Sequence, residues 1–325
     1  MNVEQKDSIR VRPEKLRCFT SALARKAGML EEQADFLAEV LVKNDLRGVF
    51  SHGSQQIATY ARIMRDGLIH PNPQVHTVNE AASTMVVDGD GGLGYFAAFR
   101  AVEEIVDRCR NHGIAAAVTR NHGHIGAAGI YSRLLAEQGL VGYVTSGHQL
   151  HLTTEESIMR AAGGSPMSFA VPSGTEVPMV LDFGAMHDLY PSPHLEQLFK
   201  LAPGLVFRNM GLGFMCQALG GFLAGLRVVE KDDGKKYKGA NQGALIIALD
   251  ISRFIQPDQF KKEMDTYMSI TSKMQPMPGY DRATLPGVLE YEREQDRIHS
   301  GIPLSKEQQT VLKDAAVEFE LEPPF

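Results

Sequence analysis

The amino-acid sequence predicts an α/β fold. Segments with apolar residues at helical spacing alternate along the chain with short apolar runs such as residues 114–119, and this alternation is typical of α/β proteins. The 325 residues are 43% hydrophobic, which is enough for a large core in one domain or in two closely built ones. We therefore expect helices packed against a buried sheet.

Composition narrows the classes of protein that the chain can belong to. The formal net charge is -6 and no long basic run occurs, which argues against nucleic acid as a partner. Cys18, Cys109 and Cys216 are far apart and form no disulfide framework, as expected in a reducing cytoplasm. Residues 1–12 lack the apolar core of a secretion signal, and no apolar run reaches the roughly 20 residues that span a bilayer. The sequence thus predicts a cytoplasmic protein without a membrane segment.

Helices are predicted at both ends of the chain. Pro13 suits the first turn of a helix, because its missing N–H needs no partner there, and Gly28 ends that helix. Further amphipathic patterns mark helices at residues 31–42, 55–65, 257–274 and 304–319. We assign residues 1–75 and 255–325 to a helical portion.

Short strands and helices alternate between these ends. The predicted strands are the apolar runs at residues 83–87, 114–119, 141–145 and 242–249. A helix at residues 97–112 separates the first two. We assign residues 76–254 to a central α/β portion.

The stretch at residues 44–53 has the composition of a reaction centre. Arg47 offers a planar fork for a carboxylate, and Ser51 precedes His52, an imidazole that can carry a proton near neutral pH. Tyr60 follows on the next predicted helix and can donate a hydrogen bond. The alternatives are a helix that ends in a polar loop with a structural His52, and a Tyr60 that is buried for its area.

A second polar stretch, at residues 120–131, follows a predicted strand. A helix begins here after a glycine-bearing turn, and the free N–H groups of its first turn suit an anion. His122 and His124 lie in this stretch, and His148 and His151 follow the next strand.

Both stretches resemble the signature of a known family. The first reads N-D-L-R-G-V-x-S-H-G, with Tyr60 and a G-x-I-x-P run after it, and the second reads N-x-x-H-x-G-x-x-G-x-Y. These motifs resemble those of the malate/L-lactate dehydrogenase family, which also includes ureidoglycolate, sulfolactate and piperideine-2-carboxylate oxidoreductases. The resemblance implies a mixed sheet of the sulfolactate-dehydrogenase-like type, which is not a Rossmann fold, with a helical N-terminal portion.

The resemblance also implies an activity and roles for the residues that bind substrate. The enzyme would interconvert a small 2-hydroxy acid and a 2-oxo acid, or reduce a cyclic imino acid, with a nicotinamide cofactor. Arg47 would hold the substrate carboxylate, His52 would exchange a proton with the C2 oxygen, and Ser51 would orient His52. Tyr60 would close the pocket, and His148 would contact the substrate.

Other positions would serve the cofactor. His124 would line the hydride path or act as the alternative acid or base. The remaining cofactor-binding positions are Gly126, Ala127, Asp182 and Arg208, with Arg208 standing where the family has a lysine. The resemblance further implies a homodimer with its active site at the subunit interface. The helical portion, residues 1–75 and 255–325, would then serve dimerisation, and the central portion, residues 76–254, would hold cofactor and substrate.

Two departures from the family pattern bear on the cofactor. Residues 183–202 are short and lack the run that the family uses partly for dinucleotide contacts, so the alternative is a chain that binds no cofactor. Near the C-terminus, Glu290 and Glu292 replace basic residues. Acidic side chains repel a 2′-phosphate, which favours NADH over NADPH.

A different class of function is also compatible with the sequence. Without a cofactor, the same scaffold would be a lyase, hydrolase or decarboxylase that acts on a small carboxylate. A transition metal would be its cofactor if several imidazoles converge; the candidates are His52, His122, His124, His148 and His151. A third alternative is a non-catalytic binding protein.

Overall fold

The computed structural model describes residues 7–187, 189, 195–228 and 235–325. The chain forms two compact units: residues up to Asn72 together with Gly287–Phe325, and Pro73–Pro286. The sequence-based division placed the boundaries at residues 75 and 255. In the structure, residues 255–286 belong to the second unit.

The first unit begins with a short strand and three helices: β1 (Ile9–Val11), α1 (Pro13–Lys26), α2 (Glu31–Arg47) and α3 (Gln56–Arg65). All three predicted helices are present. Helix α2 continues five residues beyond the predicted end at Val42 and stops at Gly48, which adopts a φ of 82° that favours glycine. Arg47 therefore lies in the last turn of a helix.

The second unit contains the sheet and its covering helices. Its elements, in chain order, are β2 (His76–Glu80), β3 (Thr84–Asp88), α4 (Gly94–His112), β4 (Ile114–His122), α5 (Gly129–Glu137), β5 (Leu140–His148), β6 (Pro166–Val171), β7 (Met179–Gly184), α6 (Leu195–Leu201), α7 (Pro203–Cys216), β8 (Gln242–Asp250) and α8 (Pro257–Thr271). The chain then returns to the first unit with α9 (Val288–Ser300), β9 (Ile302–Leu304) and α10 (Lys306–Glu318). Strand β9 pairs antiparallel with β1.

Within the described residues, seven strands form one sheet in the order β2-β3-β4-β8-β5-β6-β7. Strands β3 and β4 run parallel, and each other neighbouring pair is antiparallel. The predicted α/β fold with a mixed sheet is therefore confirmed.

The three central strands share one end that carries polar side chains. Strand β8 lies between β4 and β5, and its first residue, Gln242, pairs with His122 on one side and with His148 on the other. The sequence predicted that β5 would end at Thr145 and that a loop would follow. The structure instead extends β5 through His148, because β8 is long enough to pair with the whole segment.

A π-helical turn at Gln217–Phe222 packs on this end of the sheet. A Cβ atom on Gly220 would lie 2.5 Å from the backbone of Ser146, and one on Gly147 would lie 2.6 Å from the nitrogen of Gly221. The glycines therefore permit a backbone-to-backbone approach that no larger residue allows. In the part of the chain that the structure describes, no helix is both long and apolar enough to cross a bilayer.

Candidate active site

Arg47 is held in place by a neighbouring helix of the first unit. Its side chain is almost fully buried, and its Nε donates a 2.8 Å hydrogen bond to Oε2 of Glu294 on α9. This ion pair orients the guanidinium plane through Nε. The terminal amino groups of Arg47 are then the atoms that can present a fork to a carboxylate.

Ser51 and His52 form a contact in the short helical turn Phe50–His52. Ser51 Oγ lies 2.9 Å from His52 Nδ1, and Asn44 Nδ2 donates a 2.9 Å hydrogen bond to the carbonyl oxygen of His52. Helix α2 thus fixes the backbone of the turn, while Ser51 holds the Nδ1 edge of the imidazole. The structure brings together the hydroxyl and the imidazole that the sequence paired.

The sequence interpretation missed a buried carboxyl group beneath this turn. Asp45 is fully buried, accepts a 2.8 Å hydrogen bond from the backbone N–H of Ser54, and packs so closely on Gly53 that a Cβ there would lie 1.8 Å from Oδ1. Among the described residues, Oδ1 has no hydrogen-bond partner. Burial raises the pKa of Asp45 to about 7, and its contacts with Ser54 and the charge of Arg297 oppose that rise.

A signal for this buried acid is present in the sequence. Asp45 follows Leu37 and Leu41 at steps of four residues, and both leucines are fully buried. The apolar face of α2 therefore continues through Asp45. Arg297, on α9, closes the arrangement by donating a 2.9 Å hydrogen bond to the carbonyl oxygen of Asp45.

Tyr60 lies on α3 with only 2% of its surface exposed. Burial on this scale agrees with the alternative in which the ring is buried for its area. Its role in closing the pocket stays a prediction.

His122, in the second unit, is a structural residue. It is fully buried, its Nδ1 lies 2.7 Å from the carbonyl oxygen of Gly123, and its Nε2 lies 2.8 Å from Thr119 Oγ1. The carbonyl requires a proton on Nδ1, so Nε2 accepts from the Thr119 hydroxyl. Burial lowers the pKa of His122 to about 4, and both ring nitrogens are engaged within the fold.

His124 and Gly126 lie in the loop between β4 and α5. The Tyr131 hydroxyl donates a 2.5 Å hydrogen bond to the carbonyl oxygen of Ile125 and anchors the loop. Gly126 adopts a φ of 75°, and a Cβ there would lie 2.4 Å from the Tyr95 hydroxyl oxygen. Packing therefore requires glycine at this position, independently of any cofactor.

The N-terminus of α5 lies against a carboxylate of this chain. A Cβ on Gly129, its first residue, would lie 2.5 Å from Oδ2 of Asp182 on β7. The sequence interpretation gave this helix terminus to an anion; the side chain of Asp182 brings a negative charge to the same place. Ala127, just before the helix, is buried.

The other predicted positions of the second unit lie at its surface or partly buried. His148 is half-buried at the end of β5, and burial lowers its pKa, with the charges of Arg160 and His151 adding to the effect. Arg208 is exposed on α7. His151 is exposed and has a φ of 50°.

The sequence left open whether several imidazoles converge on a metal ion. Among the described residues, no group of three or more His, Cys, Asp or Glu side chains converges in a way that could hold an ion. The departure at residues 183–202 falls partly outside the described residues, at 188 and 190–194.

The chain is similar in sequence and in fold to proteins that are already known. A family model described as malate/L-lactate dehydrogenase matches residues 11–186 and 198–313. The malate dehydrogenase of Pyrococcus horikoshii is 25% identical, with 95% of each chain covered. Its solved structure has a TM-score of 0.84 and covers 99% of this chain and 98% of its own.

Two further relatives carry other names. The L-sulfolactate dehydrogenase of Methanocaldococcus jannaschii is 26% identical over 96% of this chain and 97% of its own. The hydroxycarboxylate dehydrogenase B of Escherichia coli is also 26% identical, over 93% of this chain and 92% of its own.

Together, the mixed sheet and these matches define an oxidoreductase, a dehydrogenase or reductase. The chain belongs to the malate/L-lactate dehydrogenase family. The predicted family and enzyme class are thereby confirmed, as is a reaction that interconverts 2-hydroxy and 2-oxo acids with a nicotinamide cofactor. Family membership favours this reaction over the non-redox alternative.

Proposed function

We propose that Arg47 and the Ser51–His52 pair bind and protonate a small 2-oxo acid during its reduction. The terminal amino groups of Arg47 hold the carboxylate of the substrate. His52 delivers a proton to the C2 oxygen, and in the reverse direction it removes one. We assign the proton transfer to the imidazole of His52, whose Nδ1 contacts Ser51 Oγ.

One observation carries this proposal. Arg47 and the Ser51–His52 turn are fixed by the same helix, α2, and by the side chains that brace its last turn. Holding a carboxylate anchor and an acid–base group in fixed positions lowers the entropic cost of reaching the reactive geometry. A nicotinamide cofactor supplies the hydride when it is bound.

We assign cofactor binding to the second unit, with His124 lining the hydride path or serving as the alternative acid or base. Gly126, Ala127, Asp182 and Arg208 are the other proposed cofactor contacts, and His148 is a proposed substrate contact. We propose NADH rather than NADPH, because Glu290 and Glu292 replace basic residues of the family pattern, and acidic side chains do not attract a 2′-phosphate.

Steady-state kinetics test the roles of Arg47 and His52. With NADH and a panel of 2-oxo acids, including pyruvate and oxaloacetate, consumption of NADH is followed at 340 nm. We expect Arg47→Lys to raise KM by about 10- to 100-fold, because a lysine keeps the charge but loses the bidentate fork. We expect His52→Asn to lower kcat by about 100- to 10,000-fold, the usual contribution of a general acid or base.

Matched controls come from the same unit. Arg17→Gln and His299→Asn remove an exposed arginine and an exposed histidine and should leave both constants unchanged. If His52→Asn keeps at least half of kcat while it folds normally, the acid–base role passes to His124. If no dinucleotide binds the unmodified protein at millimolar concentration, the redox proposal fails.

We also propose a homodimer in which the active site lies at the subunit interface, as the resemblance implies. Helix α7 supports this assembly, because it exposes a row of apolar side chains: Leu205 is 53% exposed, Leu212 40% and Met215 56%. Exposed apolar faces of this kind mark protein interfaces.

A cytoplasmic location is proposed as well, and the three cysteines of the chain are all unpaired, which suits a reducing compartment.

A further inference from the structure

A cavity of about 370 Å³ opens at the shared end of the three central strands. Its wall includes Asn121 from the end of β4, Gln149 just after β5 and Asn241 just before β8. Each amide side chain offers N–H donors as well as a carbonyl acceptor. One lining residue, Gln149, directly follows His148 in the sequence, and all the described lining residues belong to the second unit.

Positive charge dominates the described wall of this cavity. Four cationic side chains line it: Arg120, Arg227, Lys235 and Lys238. The one acidic residue in the described wall is Asp88. Its carboxylate already accepts hydrogen bonds from Asn121 Nδ2 at 2.7 Å and from Arg120 Nε at 3.3 Å. The described part of the wall thus carries a net positive charge, and Arg120 is oriented by its ion pair with Asp88.

The cationic wall is also held in place by the fold. The ring of Tyr237, between the two lysines, packs on Gly91, where a Cβ would lie 2.2 Å from the ring. Gln149 Nε2 donates a 2.5 Å hydrogen bond to the carbonyl oxygen of Arg227. Such anchoring reduces the cost of ordering the wall when a ligand binds.

The obvious alternative anion site in this unit is the N-terminus of α5, where the Asp182 carboxylate already lies against Gly129. A phosphate placed there would meet a negative charge at short range. The cationic cavity offers the opposite environment.

We propose that this cavity binds a phosphoryl group. The phosphoryl group belongs either to the diphosphate of a nicotinamide cofactor or to a free phosphate compound. For the first source, the inference rests on the proposed function. The volume lies within the range of small-molecule sites. Arginine forks match phosphate oxygens in pairs, and the amides supply further donors.

Calorimetric titration of the full chain tests the cavity directly, with pyrophosphate, inorganic phosphate, NADH and NADPH as separate probes. The cavity variant is the double substitution Arg227→Gln/Lys238→Gln. The matched control, Lys261→Gln/Lys262→Gln, removes two cations from α8 in the same unit. We expect the cavity variant to bind pyrophosphate about 10- to 100-fold more weakly, and the control to bind it like the unmodified protein.

The four probes separate the two sources and the two proposals. Weaker binding of NADH and NADPH together assigns the cavity to the cofactor diphosphate, whereas weaker binding of the free phosphates alone assigns it to a free phosphate compound. If NADH binds and no probe distinguishes the cavity variant from the control, the cavity inference is wrong and the redox function stands. If pyrophosphate binds in a cavity-dependent way and no dinucleotide binds, the cavity stands and the redox function falls. If no probe binds at 10 mM, both are wrong.

Discussion

At the scale of single residues, the buried carboxyl group of Asp45 links the stability of the first unit to pH. The folded protein holds this group with a pKa of about 7, whereas in an unfolded chain the value is about 3.8. Between these two values the folded state binds a proton that the unfolded state has released. The contribution of Asp45 to stability is therefore full below about pH 4 and is lost as the pH rises to about 7.

Asp45→Asn isolates this contribution. The amide keeps an oxygen that accepts from the N–H of Ser54. Its Nδ2 takes the position of Asp45 Oδ1, which has no hydrogen-bond partner among the described residues. We expect the free energy of unfolding of the variant, minus that of the unmodified protein, to increase by about 4 kcal/mol between pH 4 and pH 7 and to stay level above that. Denaturant titrations at several pH values measure it.

His122 makes a difference measurement necessary. Its lowered pKa gives a contribution that is present above about pH 6.5 and lost as the pH falls to about 4, which is the opposite direction. Because His122 is unchanged in both proteins, it cancels in the subtraction. A difference that does not vary with pH would show that Asp45 is ionised throughout.

The sequence predicts some of these site residues and not others. It could place Arg47, Ser51 and His52 together, since they lie within six positions at the end of one helix. It could not decide the status of His122, because the outcome depends on the Thr119 hydroxyl and on burial by the loop that follows. Asp45 could have been found from the apolar face that it shares with Leu41.

At the scale of elements, α8 is tied to the turn between β6 and β7 by one carboxylate. Asp265 accepts backbone hydrogen bonds from Gly174, Thr175 and Glu176 at 2.8–3.1 Å, and a further bond from the Thr175 hydroxyl. These backbone N–H groups lower the pKa of Asp265 to about 2. The contact is therefore present above about pH 4 and is lost only as the pH falls through about 2.

Asp265→Ala removes all of these acceptors at once. We expect the amide hydrogens of residues 174–176 to exchange at least about 10-fold faster near neutral pH, because the opened turn exposes them to water. Hydrogen exchange followed by mass spectrometry resolves this segment. Glu263→Gln, an exposed position on the same helix, is the control, and equal exchange in the two variants would show that the turn is held by other contacts.

Local patterns predicted the elements better than their ends. The helices at Pro13–Lys26 and Gln56–Arg65 match their amphipathic patterns closely, because local residues mark their ends: Pro13 begins the first helix, and Gly28 and Gly67, both with positive φ, follow the two helix ends. The prediction that β5 ends at Thr145 was wrong by three residues, because the strand continues to His148. The reason is non-local: the pairing partner that extends β5 lies about a hundred positions further along the chain.

At the scale of the whole molecule, the strand order shows where sequence patterns stop being informative. The alternation of helices and apolar runs predicts α/β, but it does not say that β8 inserts between β4 and β5. The resemblance supplied the mixed sheet that periodicity could not. The cationic cavity depends on that insertion, because its wall is drawn from the ends of these three strands.

The exposed face of α7 connects assembly to the cofactor. Leu205, Arg208, Leu212 and Met215 follow one another at steps of three and four residues, so the predicted cofactor residue Arg208 lies within the apolar row. If a second copy covers this face in the dimer, Arg208 becomes part of the interface. Loss of the dimer and loss of cofactor binding should then occur together.

Leu212→Glu/Met215→Glu tests this coupling. Two added charges on an apolar interface are costly to bury, so we expect sedimentation velocity at micromolar concentration to show a dimer for the unmodified protein and a monomer for the variant. The affinity for NADH should fall in the same variant. Val317→Glu, which adds a charge to a residue 81% exposed on α10, should leave both unchanged. A clean monomer for the unmodified protein would contradict the dimer, and a variant that stays dimeric would place the interface on another face.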